Sequence, residues 1–234
     1  MRIARALTGV LVLSGATCIG VAVTHQRHPQ EPPLSAVASF APPTSWPASA
    51  GQQLPAAAAA PRVVGPVLPA SEPLAIAIPA IGVRSPLLRL GQAADGSLEV
   101  PSPGPHYDEA GWYRYSPTPG SLGPAVIAGH VDSEAAGPSV FFRLGSLRPR
   151  DTVLITRADG SVAVFAVDVV RRYPKSRFPS QLVYGDTNRA ALRLITCGGP
   201  FDRGSGHYLD NIIVLASLVR AGGGGLPRTG SPAG

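Results

Sequence analysis

Between residues 74 and 216 the chain is a series of short apolar runs, each stopped by a turn signal. Leu74-Ala75-Ile76-Ala77-Ile78-Pro79 opens the series, and Ile81-Gly82-Val83 follows. Ala94-Asp95-Gly96-Ser97 reads as a turn into Leu98-Glu99-Val100. Ala125-Val126-Ile127-Ala128-Gly129-His130 is a short apolar strand. Thr152-Val153-Leu154-Ile155-Thr156 and Val162-Ala163-Val164-Phe165-Ala166-Val167 flank Ala158-Asp159-Gly160, the pattern of a hairpin. Leu192-Arg193-Leu194-Ile195-Thr196-Cys197 and Ile212-Ile213-Val214-Leu215-Ala216 close the set. Helical pattern is confined to one or two turns within residues 139–147. Many short strands joined by Gly/Pro turns predict an all-β fold, a barrel or a sandwich.

The flanks read differently. The chain has 27 Gly and 26 Pro, and they are unevenly spread. Residues 26–72 are rich in Pro and Ala, as in Glu31-Pro32-Pro33 and Pro55-Ala56-Ala57-Ala58-Ala59-Ala60-Pro61. Recurrent proline blocks helix and ladder bonding, so this segment reads as a disordered, partly extended linker. Residues 221–234 form a Gly-rich tail, expected to be disordered, that contains Leu226-Pro227-Arg228-Thr229-Gly230. The folded domain is expected at 73–220.

Residues 1–25 carry an address. Arg2 and Arg5 precede an apolar stretch at 7–23, long enough to just span a bilayer core. The arginines would face the cytoplasm. An uncleaved transmembrane anchor fits better than a cleaved signal, whose apolar region is normally shorter. Lipidation at Cys18 is set aside, because Gly15-Ala16-Thr17 lacks the apolar residue three positions before the Cys. The expectation is a single-pass protein of the cell membrane with its bulk outside the cytoplasm.

That placement gives the cysteines meaning. Of the two Cys in the chain, only Cys197 lies in the exported part. Exported cysteines are usually paired. A lone exported thiol is an accident, a dimer link or a nucleophile. Cys197 ends an apolar run and is followed by Gly198-Gly199-Pro200, which leaves its sulfur approachable. His130 ends another apolar run. Singly, each has a bland reading as a buried core group. Together they are the minimum pair for thiolate chemistry, which needs a base or cation to lower the thiol pKa and to protonate a leaving amine. His25 borders the linker and His28 falls in it, His106 lies in a Pro/Gly loop, and His207 ten residues beyond Cys197.

Other chemistries find little support. The net charge of +6 comes from scattered arginines, without a basic run or basic–aromatic interleaving, so no nucleic-acid partner is expected. General adhesion to anionic lipid or wall polymer, or a coding bias, accounts for the charge. No Cys pair or His-x-x-x-His suggests zinc. No glycosidase pair stands out among Glu99, Asp108, Glu109 and Asp132, and no phosphate loop is present. Neither metal nor cofactor is expected.

The combined motifs resemble those of the sortases, and most closely the class F sortases of actinobacteria. They are Ile78-Pro79-Ala80-Ile81-Gly82-Val83, Val126-Ile127-Ala128-Gly129-His130-Val131-Asp132 and Val140-Phe141-Phe142-Arg143-Leu144. Leu194-Ile195-Thr196-Cys197-Gly198-Gly199, Phe201-Asp202, Gly206-His207-Tyr208 and Asp210-Asn211 complete them. The resemblance implies an eight-stranded β-barrel and a cysteine transpeptidase. Such an enzyme cleaves a sorting signal such as Leu-Pro-x-Thr-Gly after Thr and holds the acyl chain as a thioester. It then passes the chain to an amine, often of a peptidoglycan precursor, and so anchors surface proteins to the cell wall. Carried over, Cys197 is the nucleophile and His130 its proton partner. The family also has an Arg on the strand after the Cys. Counting back from Ala216 places Asn211 there instead, so Asn211, Arg203 and Arg177 are the candidates for binding substrate or oxyanion.

Two rivals stand beside this reading. One is another Cys/His peptidoglycan transpeptidase or hydrolase, although the Ser-His-Gly-Cys signature of L,D-transpeptidases is absent. The other is a surface protein sorted through its own Leu226-Pro227-Arg228-Thr229-Gly230. A sorting signal is normally followed by a hydrophobic span and basic tail, whereas Ser231-Pro232-Ala233-Gly234 follows here. A match to this motif arises by chance in roughly one chain in a hundred of this composition. A tethered pseudo-substrate that visits the enzyme's own cleft is a third use of the tail.

Overall fold

The computed structural model describes residue 29 and residues 31–32, 62–133 and 137–223. The expected anchor at 1–25, nearly all of the linker before residue 62, and the tail motif at 226–230 lie outside them. Among the described residues no helix is long and apolar enough to cross a membrane.

Ten strands form within these residues. They are β1 (Pro73–Ile78), β2 (Val83–Leu90), β3 (Ala110–Tyr113), β4 (Gly123–Ala128), β5 (Asp132–Ser133), β6 (Gly137–Pro138), β7 (Thr152–Arg157), β8 (Ser161–Pro174), β9 (Ala190–Asp202) and β10 (His207–Gly223). Eight of them close into a barrel in the order β1-β2-β3-β4-β9-β10-β8-β7, while β5 and β6 make a separate ribbon. The pairs β2–β3 and β4–β9 are parallel and the others antiparallel. The expected all-β, eight-stranded barrel is therefore the fold.

Period-two alternation decides what each strand buries. Ile76 and Ile78, Ile127, Phe165, Leu192 and Leu194, and Ile212 and Val214 point into the barrel. Ile195 and Ile213, the alternate residues of β9 and β10, point outward. There they meet Val126 of β4 and Val183 of a short helix, α1 (Ser180–Tyr184), with Phe178 and Tyr173 packed alongside. This wall is covered on both faces, which is why β4 and β9 read as continuous apolar runs rather than alternating ones. Burying each such side chain contributes about 1.5–3 kcal/mol.

The turns expected within 139–147 form a 3-10 helix at Leu144–Ser146. Phe141 and Leu144 are fully buried in the barrel core. Residues 62–72, which composition reads as linker, lie against the barrel. Val64 N–H donates to Asn188 O and Leu68 N–H to Gly120 O. The buried Arg157 guanidinium donates to Pro69 O and pairs with Asp159 at 3.3 Å.

Three local expectations differ from what forms. Leu98-Glu99-Val100 is not a strand; only an isolated bridge joins Leu98 to Gln92. β3 was not evident in the pattern. β9 does not end at Cys197 but runs on to Asp202, because Gly199-Pro200 sit opposite the single residue Leu209 as a β-bulge. Gly199 has φ +74°, and a Cβ there would lie 2.2 Å from Asp210 Oδ2, so only glycine suits the bulge.

Candidate active site

β4 and β9 are adjacent and parallel, with Ala128 the register partner of Ile195. Gly129 N–H continues the ladder to Ile195 O at 3.2 Å. Two residues beyond each partner stand His130 and Cys197. The sheet thus brings them level, on neighbouring strands. Cys197 has the parity of Ile195, so it faces outward, beside the apolar patch that α1 covers. It is a free, half-buried thiol.

On the other side of Cys197 lies β10, where Asn211 is its direct partner. Directly opposed antiparallel residues share a face and sit about 4.5–5.5 Å apart at Cα. The outward row on these strands is Cys197, Asn211 and then Tyr173 of β8, with His130 in the loop that follows β4. Asn211 is the candidate third residue that the fold brings to the thiol.

The two arginine candidates sit elsewhere. Arg203 lies in the exposed turn between β9 and β10, roughly 15–20 Å of strand beyond Cys197. Arg177 is exposed at the end of a 3-10 helix, Lys175–Arg177, that follows β8 and touches β10. Two further arginines of β8 were missed by sequence reading. Arg172 is tied to Asp210 at 3.4 Å and to Glu31, so its charge is already matched. Arg171 is opposite Ile213, which is opposite Ile195, and so it shares the outward face with Cys197. Strand alternation alone could have flagged it.

His130 is held on several sides. Its Nε2 lies 2.8 Å from Pro101 O. A carbonyl only accepts, so Nε2 carries a proton and Nδ1 is left to exchange one. The Tyr107 ring stacks on the imidazole, with centroids 4.0 Å apart and planes 4° from parallel. Phe141 N–H donates to His130 O at 3.0 Å, and Ser139 N–H to Val131 O at 2.9 Å. A Cβ on Gly129 would meet Val140 and Phe141 at under 3 Å, so the glycine lets these side chains close beneath the loop.

Asp132 joins this loop to the β9–β10 hairpin. Tyr107 Oη donates to its backbone carbonyl at 2.9 Å, and Tyr208 Oη donates to its carboxylate. Burial first, then the Asp132 carboxylate, pushes the Tyr107 phenol up. Burial, then the hydrogen bond to Asp132, pushes Tyr208 up further. The Cys197 charge is the last and smallest contribution to each shift. Neither tyrosine was singled out from sequence, although Tyr208 lies inside a motif that carried the resemblance. The remaining described histidines are outside this arrangement: His106 pairs with Glu109 at 3.0 Å, and His207 is exposed on the hairpin. No metal-ligand cluster occurs among the described residues.

The family described as Sortase domain matches residues 76–219. Among solved structures, sortase A of Listeria monocytogenes is similar at 17% identity and a TM-score of 0.47, over 65% of this chain and 90% of that one. Sortase A of Corynebacterium diphtheriae is similar at 21% and 0.47, over 64% and 62%. SrtA sortase from Actinomyces oris is similar at 19% and 0.47, over 70% and 88%. No curated protein matches.

Proposed function

Because the chain belongs to the sortase family, the cysteine transpeptidases of cell-wall protein anchoring, we propose that Cys197 and His130 carry out its transpeptidation on a Leu-Pro-x-Thr-Gly-like sorting signal. One observation supports this most: the matched height of His130 and Cys197 on adjacent parallel strands, with Asn211 directly opposite the thiol. The motifs quoted above favour the class F branch.

Cys197 as thiolate attacks the carbonyl carbon of the Thr in the sorting signal, and the bond to the following Gly nitrogen breaks. His130 as imidazolium gives its Nδ1 proton to the departing amine. Nε2 stays on Pro101 O throughout, so the ring does not reorient between steps. Asn211 offers a side-chain N–H to the oxyanion, and Arg171, on the same outward face, adds charge from β8. An incoming amine, such as that of a peptidoglycan precursor, then resolves the thioester with His130 as base. The apolar stretch at 7–23 would hold this domain outside the cytoplasm on a single membrane span. Family membership takes the place of the L,D-transpeptidase reading.

The test is mass spectrometry of the purified chain with a sorting-peptide library and candidate amines. The expected products are an acyl-enzyme heavier by the peptide fragment that ends at Thr, the released Gly-beginning segment, and a conjugate of that fragment with the amine. Peptides that remain whole with every amine would overturn the proposal.

A further inference from the structure

The Leu226-Pro227-Arg228-Thr229-Gly230 motif is not absorbed by the function above. It stands on a chain whose own site is proposed to cut such motifs, and only Gly224 and Gly225 separate it from the last residue of the paired strand β10, Gly223. Where that strand ends decides whose site the motif reaches.

β10 starts at the cleft and leaves it. Asn211 is opposite Cys197, whereas Gly223 is opposite Ser161, beside the β7–β8 turn at the other end of the barrel. The twelve residues from Asn211 to Gly223 carry the chain about 35–40 Å away from the thiol. From Gly223 to Thr229 there are six residues, which reach at most about 21 Å when fully extended. The tail would also have to reverse direction before Leu226, which shortens its reach. With β10 paired, Thr229 cannot meet the Cys197 of its own chain. The pseudo-substrate that visits its own cleft is therefore excluded on length.

We infer that the tail is a substrate in trans: Cys197 of one copy cuts a second copy between Thr229 and Gly230. This rests on the transpeptidase reading above. The thiolate of the first copy bonds to the Thr229 carbonyl carbon. The bond to the Gly230 nitrogen breaks, and that nitrogen takes a proton from His130. The segment beginning at Gly230 leaves as a free amine. An acceptor amine then takes the Thr229 acyl group and returns the thiolate, or water does so and leaves a carboxylate. The enzyme thereby joins its own C-terminal end to the class of acceptor it serves. The far end of the barrel, where the tail departs, leaves room for a neighbour's cleft without blocking the donor's own.

The experiment mixes two full-length variants in detergent with triglycine. One is Cys197→Ala, or Cys197→Ser if the first does not fold, which keeps the tail. The other is Pro227→Ala, which keeps the thiol and loses the motif. A synthetic peptide, Leu-Pro-Arg-Thr-Gly-Gly, runs in parallel. Intact mass should show the Cys197 variant losing everything from Gly230 and gaining triglycine, with a half-time that shortens in proportion to the concentration of the Pro227→Ala chain. A processed peptide beside an untouched tail would overturn the inference and leave the transpeptidase reading standing. If neither is processed, the inference falls with that reading. Wild type alone cutting its tail with a half-time independent of concentration would also overturn it, because that is cleavage in cis.

Discussion

His130 and Cys197 stand level on neighbouring parallel strands, each two residues beyond the register pair Ala128 and Ile195. A parallel pair at the barrel wall does this through backbone register, Gly129 N–H donating to Ile195 O at 3.2 Å. The ring is instead fixed by Pro101 and Tyr107, and the thiol by its strand.

Asn211 faces the thiol while Arg203 does not. Asn211→Ala should lower kcat by about 10²-fold with little change in KM, the usual loss for an oxyanion donor. Arg203→Ala should stay within about threefold of wild type, the scale of a lost surface charge. Steady-state kinetics on a sorting peptide checks both. The same assay on Arg171→Ala and Arg177→Ala shows which guanidinium serves the site. Full turnover in Asn211→Ala would remove it from the mechanism.

Tyr107 acts through His130 rather than on substrate. Tyr107→Phe keeps the stacked ring and loses the bond to Asp132 O, whereas Tyr107→Leu loses both. The expected order of kcat is wild type, then Phe, then Leu, with Leu lower by about tenfold, or about 1.4 kcal/mol of transition-state stabilisation. A pH profile separates this from simple destabilisation. Losing the stacked ring should move the acidic or basic limb in the Leu variant and leave it in place in the Phe variant.

The bulge after Cys197 depends on glycine. Gly199→Ala meets both a φ of +74° and the Asp210 carboxylate, and should cost about 2 kcal/mol or more. Thermal unfolding measures it. Adding Asp210→Ala relieves the close approach but not the backbone strain, so the double variant should recover only part of the loss.

Tyr208 links the hairpin to Asp132, and its folded pKa is raised above the ordinary value of 10.0. The folded state therefore holds the phenolic proton more tightly than the unfolded state. Stability from this group is complete below pH 10 and is lost as pH rises from there toward the folded pKa. Denaturant midpoints from pH 8 to 12 should fall above about pH 10. The fall should be shallower in Tyr208→Phe.

Thr196 precedes Cys197 and points into the core, where its hydroxyl has no partner among the described residues. Thr196→Val keeps the shape and removes the orphaned oxygen. Stability should rise by about 1–2 kcal/mol, read from the denaturant midpoint, with turnover unchanged.

The barrel was legible because its buried strands are apolar over several residues and end at Gly or Pro. Cys197 and His130 were legible for the same reason: each closes such a run. What hid the rest was physical. β3 is four residues, and its Gly111 carries no side chain because Leu90 fills that space. Gly198-Gly199-Pro200 looks like a stop signal and is a bulge, so the continuation of β9 is invisible to pattern. Pro101, Tyr107 and Asp132 come together from loops, and loop packing leaves no period in sequence. Arg171 was hidden by its neighbours, since Arg171 and Arg172 read as one exposed pair until register assigns them to opposite faces.

The central claim is that Cys197 is the acylated atom and His130 its proton partner. A Leu-Pro-x-Thr vinyl-sulfone peptide, followed by intact and tryptic mass spectrometry, tests it most directly. The account predicts one adduct per chain on the peptide containing Cys197. It also predicts none in Cys197→Ala, and labelling slowed by at least about tenfold in His130→Ala. Equal labelling of wild type and Cys197→Ala would contradict it.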